Sequence, residues 1–260
     1  NDVKNIEARI AHTQILKGDH RLSFGYQFNH FNIENLINTQ NFFEEEVAEE
    51  IASIANVHAV YADLNLKATK HLELVLSGRL TDIESLGQQV FSPQIKANYT
   101  LKHGWLLKSS FGIYHQYLST IKESQFTISN AVEQHWLLAD NNQLVPMVVN
   151  NQYSLGIIRN TKSWLIDFDV YQKKIDGLLA RNLGFGFTRE DGFNQGTERV
   201  IGLDLTLRRR WKYFKLWFSY NFQDSEVRFP ELFVRSFPSS LNIRNQFNIS
   251  SSYTKGNWEY

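Results

Sequence analysis

The chain has 260 residues and balances 27 acidic against 27 basic side chains, so no excess positive field recommends a nucleic-acid partner. It contains no cysteine, which removes any disulfide framework and any thiolate metal site. No run approaches the roughly 18 consecutive apolar residues of a membrane-spanning helix, and the opening NDVKNIEARI lacks the basic and apolar segments of a signal peptide.

Bulky apolar residues recur at every second position from end to end, which predicts strands rather than helices. The expected strands lie near 3–16, 20–33, 56–68, 71–81, 92–102, 105–117, 149–160, 163–175, 198–209, 213–224 and 241–254, with a twelfth beginning at Asn257. The chain therefore reads as all-β, and because it closes on NWEY in the start of a strand it reads as a fragment.

Along the second strand Leu22, Phe24, Tyr26 and Phe28 alternate with Ser23, Gly25, Gln27 and Asn29. After it, FFEEEVAEEIASIA, Phe42 to Ala55, sets five Glu among apolar residues at near-helical spacing. That predicts a short helix in a long loop, either a solvated surface or an acidic mouth that concentrates cations. Further on, Asp167 and Asp169 share one strand face with Tyr171 and Lys173. In a soluble enzyme two such carboxylates serve as acid and base; on a barrel they are Lys-paired groups facing a wet lumen.

The segment ARNLGFGFTREDGFNQG, 180–196, mixes rings and guanidinium groups among glycines. Arg181, Phe185, Phe187, Arg189 and Phe193 are the candidate ligand contacts, since exposed rings on a loop suit a flat or aromatic ligand. Its Gly184-Phe185-Gly186 spacing lacks the strand-then-helix setting of a phosphate cradle. Arg208 to Arg210 read as surface beside a short turn, and the eight His show no zinc-site spacing. No catalytic, cofactor or metal residues are assigned.

Near the end, Phe214, Leu216, Phe218, Tyr220 and Phe222 alternate with Lys215, Trp217, Ser219, Asn221 and Gln223. A period-two apolar face is buried against a second sheet or against lipid. Predicted segments of about 11 to 14 residues exceed ordinary globular strands and match the ~9 to 11 that cross a bilayer at a tilt. Short turns at 17–19, 69–70, 103–104, 161–162, 210–212 and 255–256 alternate strictly with longer connections at 34–55, 82–91, 118–148, 176–197 and 225–240. That sorting is the requirement of an antiparallel up-and-down transmembrane β-barrel. Trp105, Tyr114, Tyr117, Trp164, Tyr171, Trp211, Tyr213 and Trp258 are the expected aromatic girdles.

Three blocks carry a resemblance. FSPQIKANYTLKHGWLLKSSFGIYHQYLS, Phe91 to Ser119, looks like a strand, short turn and strand ending in a Gly-containing segment before a long loop. NNQYSLGIIRNTKSWLIDFDVYQKKIDGLL, Asn150 to Leu179, is a Trp-led hairpin ending in Y-x-K-x-I-x-G-L, and GTERVIGLDLTLRRRW, Gly196 to Trp211, is the glycine-framed strand that follows. In this order they resemble the C-terminal half of the barrel of TonB-dependent outer-membrane receptors, with Gln94 where that family usually shows Arg.

The resemblance implies that residues 1–260 supply about twelve strands of a barrel of about 22, whose plug domain and TonB box are absent from this chain. It also implies an outer-membrane active transporter of a Gram-negative bacterium, not an enzyme, for a scarce nutrient such as an iron-siderophore complex. Expected partners are outer-membrane lipid, the TonB complex through the missing N-terminal region, and a small-molecule or metal-chelate ligand. The alternatives are a passive porin-like or enzymatic outer-membrane barrel and a soluble β-sandwich binding module.

Overall fold

The computed structural model describes all residues except 1, 41–45, 125–131, 141–144, 182–192, 232–234, 241, 257 and 260. Of the described residues within 35–51, 121–135, 180–193 and 257–260, only the backbone path is described. Among the described residues alternation becomes fifteen strands: β1 Asp2–Ile15, β2 Arg21–Gln40, β3 Glu46–Lys67, β4 Leu72–Ile83, β5 Gln88–Thr100, β6 Trp105–Gln116, β7 Leu118–Ser124, β8 Val132–Leu138, β9 Val148–Asn160, β10 Trp164–Arg181, β11 Phe193–Arg210, β12 Phe214–Arg228, β13 Phe237–Pro238, β14 Asn245–Lys255 and β15 Trp258–Glu259. All but β7 and β8 join one antiparallel sheet, in the order β1-β2-β3-β4-β5-β6-β9-β10-β11-β12-β14-β15, with the short β13 beside β12. Sequence neighbours are sheet neighbours, as an up-and-down wall requires, and the sheet is open rather than closed on itself. No second large sheet faces it among the described residues, so the β-sandwich alternative fails.

The hairpin of β7 and β8 sets the inner side of this wall. It leaves the sheet after β6, yet its Leu138 and Ala139 pack in one buried cluster with Phe31 and Ile33 of β2 and Ala55 and Val57 of β3. On its other flank Leu137 and Val145 pack against Leu179 of β10. From β2 to β10 is about 29 Å along the sheet at ~4.8 Å per strand step. A hairpin that touches both can do so only if the sheet curves around it. The face carrying Phe31, Ile33, Ala55 and Val57 is therefore the inner face.

Register then sorts every strand. On β11, Val200, Gly202, Asp204, Thr206 and Arg208 point inward, while Ile201, Leu203, Leu205 and Leu207 point outward between Arg199 and Arg209. Those two arginines stand ten residues apart, about 34 Å along the strand. At the ~45° tilt of a spanning strand this height is about 24 Å, which matches the ~25 Å apolar belt of an outer-membrane barrel. The belt continues across the sheet in outward residues that stay exposed, among them Phe24, Tyr26, Val60, Leu76, Leu80, Phe91, Ile95, Leu155, Phe247 and Ile249.

Above the belt the two faces exchange character. Outward positions of β2 run Phe24, Tyr26, Phe28 and then His30, Asn32 and Glu34, whereas inward ones run Ser23, Gly25, Gln27, Asn29 and then Phe31 and Ile33. The same change occurs on β4, where outward Leu80 gives way to Asp82 and inward Arg79 and Thr81 to Ile83. The cause is the change of surroundings: beyond the hydrocarbon the outer face meets water, and the inner face lies under the hairpin.

Several expected boundaries are corrected. Residues 46–55 are strand, not helix, because β3 pairs with β2 continuously from Gln40↔Glu46 inward, and Val47, Ile51 and Ile54 suit that ladder. Residues 42–45 lie outside the description. The expected long connection at 82–91 is a single 3-10 turn, Glu84–Leu86, which Gly87 ends in the left-handed conformation at φ 57°. The connection at 118–148 holds the β7–β8 hairpin, and strands extend well into 176–197 and 225–240.

Of the expected girdle residues, Trp105, Trp164, Trp211 and Tyr213 do lie at the turn end. Three others do not belong to a girdle. Tyr114 shares the inner face of β6 with Lys108 and Gly112, its ring lying over Gly112. Tyr171 faces inward, its ring laid over its cross-strand partner Gly202, where an added Cβ would meet Cζ at 2.1 Å. Tyr117 lies at the loop end, 5.8 Å edge-on from Phe31 against the buried cluster, and burial pushes its phenol above the ordinary tyrosine range.

Candidate functional site

The inner face between the turns and the hairpin is a polar wall held by cross-strand contacts. Arg9 of β1 donates from Nε to the Tyr61 hydroxyl of β3 at 2.7 Å, with its guanidinium 5.0 Å from that ring's centroid. Arg79 of β4 donates to the Gln27 side-chain carbonyl of β2 at 2.9 Å and to the Thr81 hydroxyl at 3.3 Å. Farther along, Asn221 donates to Asp204 and Ser225 to Glu198 between β12 and β11. Each bond joins residues that register already places on the same side, so the alternation of the sequence builds the wall directly.

The strongest group is an ion triad. Lys108 Nζ of β6 donates to Asp167 Oδ1 at 2.6 Å and to Asp169 Oδ2 at 2.7 Å, both on β10, with all three side chains between 27% and 29% exposed. The two carboxylates thus stand Lys-paired on a wet face and lack the separate surroundings that would divide them into an acid and a base. Lys173 does not join them: it lies 5.2 Å from the Tyr171 ring centroid.

Lys108 and the aspartates lie on strands separated by β9, and Gly156 lets them meet. It pairs with Lys108 on one side and Asp169 on the other. A Cβ there would lie 2.0 Å from Asp169 Oδ1 and 2.8 Å from Lys108 Cε. The sequence contained the signal as a lone inward glycine in a strand, which marks close approach by a neighbour. Gly156→Ala is expected to separate Lys108 from Asp169 and to destabilise the wall by about 1–3 kcal/mol, the usual cost of overpacking. The check is the temperature at which the purified full receptor loses its compact, heat-modifiable gel mobility; an unchanged temperature contradicts the triad.

At the loop end, Arg181 and Phe193, two of the candidate ligand contacts, are cross-strand partners closing the β10–β11 ladder. Phe185, Phe187 and Arg189 lie outside the described residues. The hairpin was not foreseen as part of this end. Its Leu137 and Leu138 face opposite ways, toward β10 and toward β2 and β3, so it spans the space above the polar wall. Sequence alone shows its two apolar edges but not which distant strand each one meets. Among the described residues no three His, Asp or Glu gather to hold a metal ion.

Solved structures share this architecture. The siderophore receptor PirA from Pseudomonas aeruginosa superposes with a TM-score of 0.65 at 14% identity, over 98% of this chain and 51% of its own. The copper transporter OprC superposes at 0.70 with 11% identity, over 99% of this chain and 42% of its own. FpvA of P. aeruginosa, solved with heterologous pyoverdines, superposes at 0.62 with 14% identity, over 98% of this chain and 36% of its own. The chain thus spans about half the length of these proteins or less, and at such identities the likeness is one of fold. No curated protein sequence matches the chain. The family model for the TonB dependent receptor-like β-barrel matches residues 2–260, and the chain belongs to that family.

Proposed function

We propose that residues 1–260 are part of the barrel of an outer-membrane, TonB-dependent active transporter of a Gram-negative bacterium. In this reading the chain supplies wall, polar lumen lining and outer recognition loops. The plug and the segment that engages the TonB complex belong to the rest of the receptor. The observation that carries the reading is the two-faced wall, an apolar belt about 24 Å tall outside and paired polar groups inside. Family membership supports it, and the family is one of transporters rather than enzymes.

The ligand is a scarce nutrient such as an iron-siderophore complex, taken up at the loop end. Its contacts are Arg181, Phe185, Phe187, Arg189 and Phe193. Support for that class comes from the solved neighbours described as siderophore receptors and from the rings and guanidinium groups that this one loop combines.

The test is growth of a strain deleted for the full receptor gene on single defined iron-siderophore sources. Loss of growth on at least one source, restored by the wild-type gene but not after a protonophore collapses the inner-membrane gradient, is the expected result. A receptor variant carrying Arg181→Ala and Arg189→Ala should raise the half-saturating ligand concentration about tenfold or more, two charge-assisted contacts being removed. Uptake that survives the protonophore identifies a passive pore instead.

A further inference from the structure

The chain is electrically neutral as a whole, yet the turn end is not. Each of the five described turns joining long strands carries a lysine, Lys17, Lys70, Lys102, Lys162 and Lys212, while Asp19 is the one acidic residue among them. Two arginines extend this basic rim up the outward face at the border of the apolar belt. Arg159 of β9 lies 5.4 Å from the ring centroid of Trp105, its direct partner on β6. Arg209 of β11 lies between two indoles, 4.4 Å from Trp164, its direct partner on β10, and 5.3 Å from Trp211.

These guanidinium groups are positioned but not neutralised. Among the described residues no carboxylate stands within ion-pair distance of either. Arg159 Nε is buried and has no hydrogen-bond partner. Stacking on an indole occupies the face of the guanidinium and leaves its edge, with the N–H donors other than the buried Arg159 Nε, free. The edge donors form the fork that matches the oxygens of a phosphate bidentately.

We propose that Arg159 and Arg209, held by Trp105, Trp164 and Trp211, form a binding strip for the phosphodiester headgroup of an anionic phospholipid in the leaflet at the turn end. The inference rests on the outer-membrane reading, which places that rim at the periplasmic interface. The occupant follows from charge and depth together. The strip faces outward at the lower edge of the belt, where only a lipid headgroup meets it laterally, and Lys162 and Lys212 in the neighbouring turns favour a negatively charged one. Trp at the same level belongs to the interfacial belt, so its rings hold the arginines at headgroup height.

The experiment uses the full receptor, refolded in detergent and equilibrated with equal amounts of dioleoylphosphatidylglycerol and dioleoylphosphatidylcholine, and native mass spectrometry counts each bound lipid. The wild type should retain the phosphatidylglycerol preferentially. A receptor carrying Arg159→Gln and Arg209→Gln should bind it about thirtyfold more weakly, with phosphatidylcholine unchanged. Equal retention of the two lipids by the wild type overturns the site, as does a double variant that keeps the preference. If the double variant does not assemble, the wild-type comparison decides alone. A wild-type receptor that retains neither lipid removes the outer-membrane reading and the strip with it.

Discussion

Phe218→Arg is expected to empty the outer membrane of folded receptor, whereas Ser219→Arg, one residue on, is expected to leave its level nearly unchanged. The residues are adjacent, but register sends them to different surroundings: Phe218 pairs with Leu207 and Ile249 on the outer face, and Ser219 with Thr206 and Asn248 on the inner face. Phe218 is also the midpoint of the outward apolar run from Phe214 to Phe222, after which Asp224 begins the polar zone. A cation on the lipid face costs about 2–4 kcal/mol at the bilayer midplane and far less near its edges. Quantifying heat-modifiable receptor in isolated outer membranes measures the difference, and equal levels of the two variants would reverse the assignment of faces.

Ile33→Ala should release the hairpin from the wall. Ile33 and Ile83 are 0% exposed, and both belong to the cluster that anchors Leu138 and Ala139. Truncating such a side chain costs about 2–5 kcal/mol, with the larger values where the cavity stays open. The loss falls on contacts between the hairpin and β2, β3 and β4, not on the ladder of the sheet. The expected readout is faster tryptic cleavage after Lys122 on intact cells, with the barrel itself still heat-modifiable. Ile54→Ala serves as the control, because Ile54 points outward from the same strand region and is 62% exposed. Equal cleavage rates in the two variants would mean that the cluster does not hold the hairpin.

The wall was legible because a strand states its two faces with a period of two, and each face here meets a single medium over most of its length. Leu203, Leu205 and Leu207 against Asp204, Thr206 and Arg208 require no partner to be interpreted. Residues 46–55 were misread as helix because their Glu spacing imitates a helical stripe, while what fixes them as strand is pairing with residues 31–40, a non-local fact. The Lys108 triad failed for the same reason: its members are about sixty positions apart and meet only when β6, β9 and β10 are in register across Gly156. Tyr171 looked like a girdle ring by composition, but its strand position gives it an inward direction and Gly202 gives it a seat. Of the proposed ligand contacts, only the Arg181 and Phe193 backbones enter the description, and no strand periodicity encodes how the residues between them are arranged.

The exchange of character between Phe28 and Phe31 gives the protein a built-in depth gauge. In a thicker bilayer His30 and Asn56, which now bond each other at 2.8 Å on the outer face, would be drawn among acyl chains. In a thinner one Phe28, the last outward ring before that border, would emerge into water. Either displacement costs a fraction of a kcal/mol per ångström, so the barrel rides at one level and is matched to one hydrocarbon thickness.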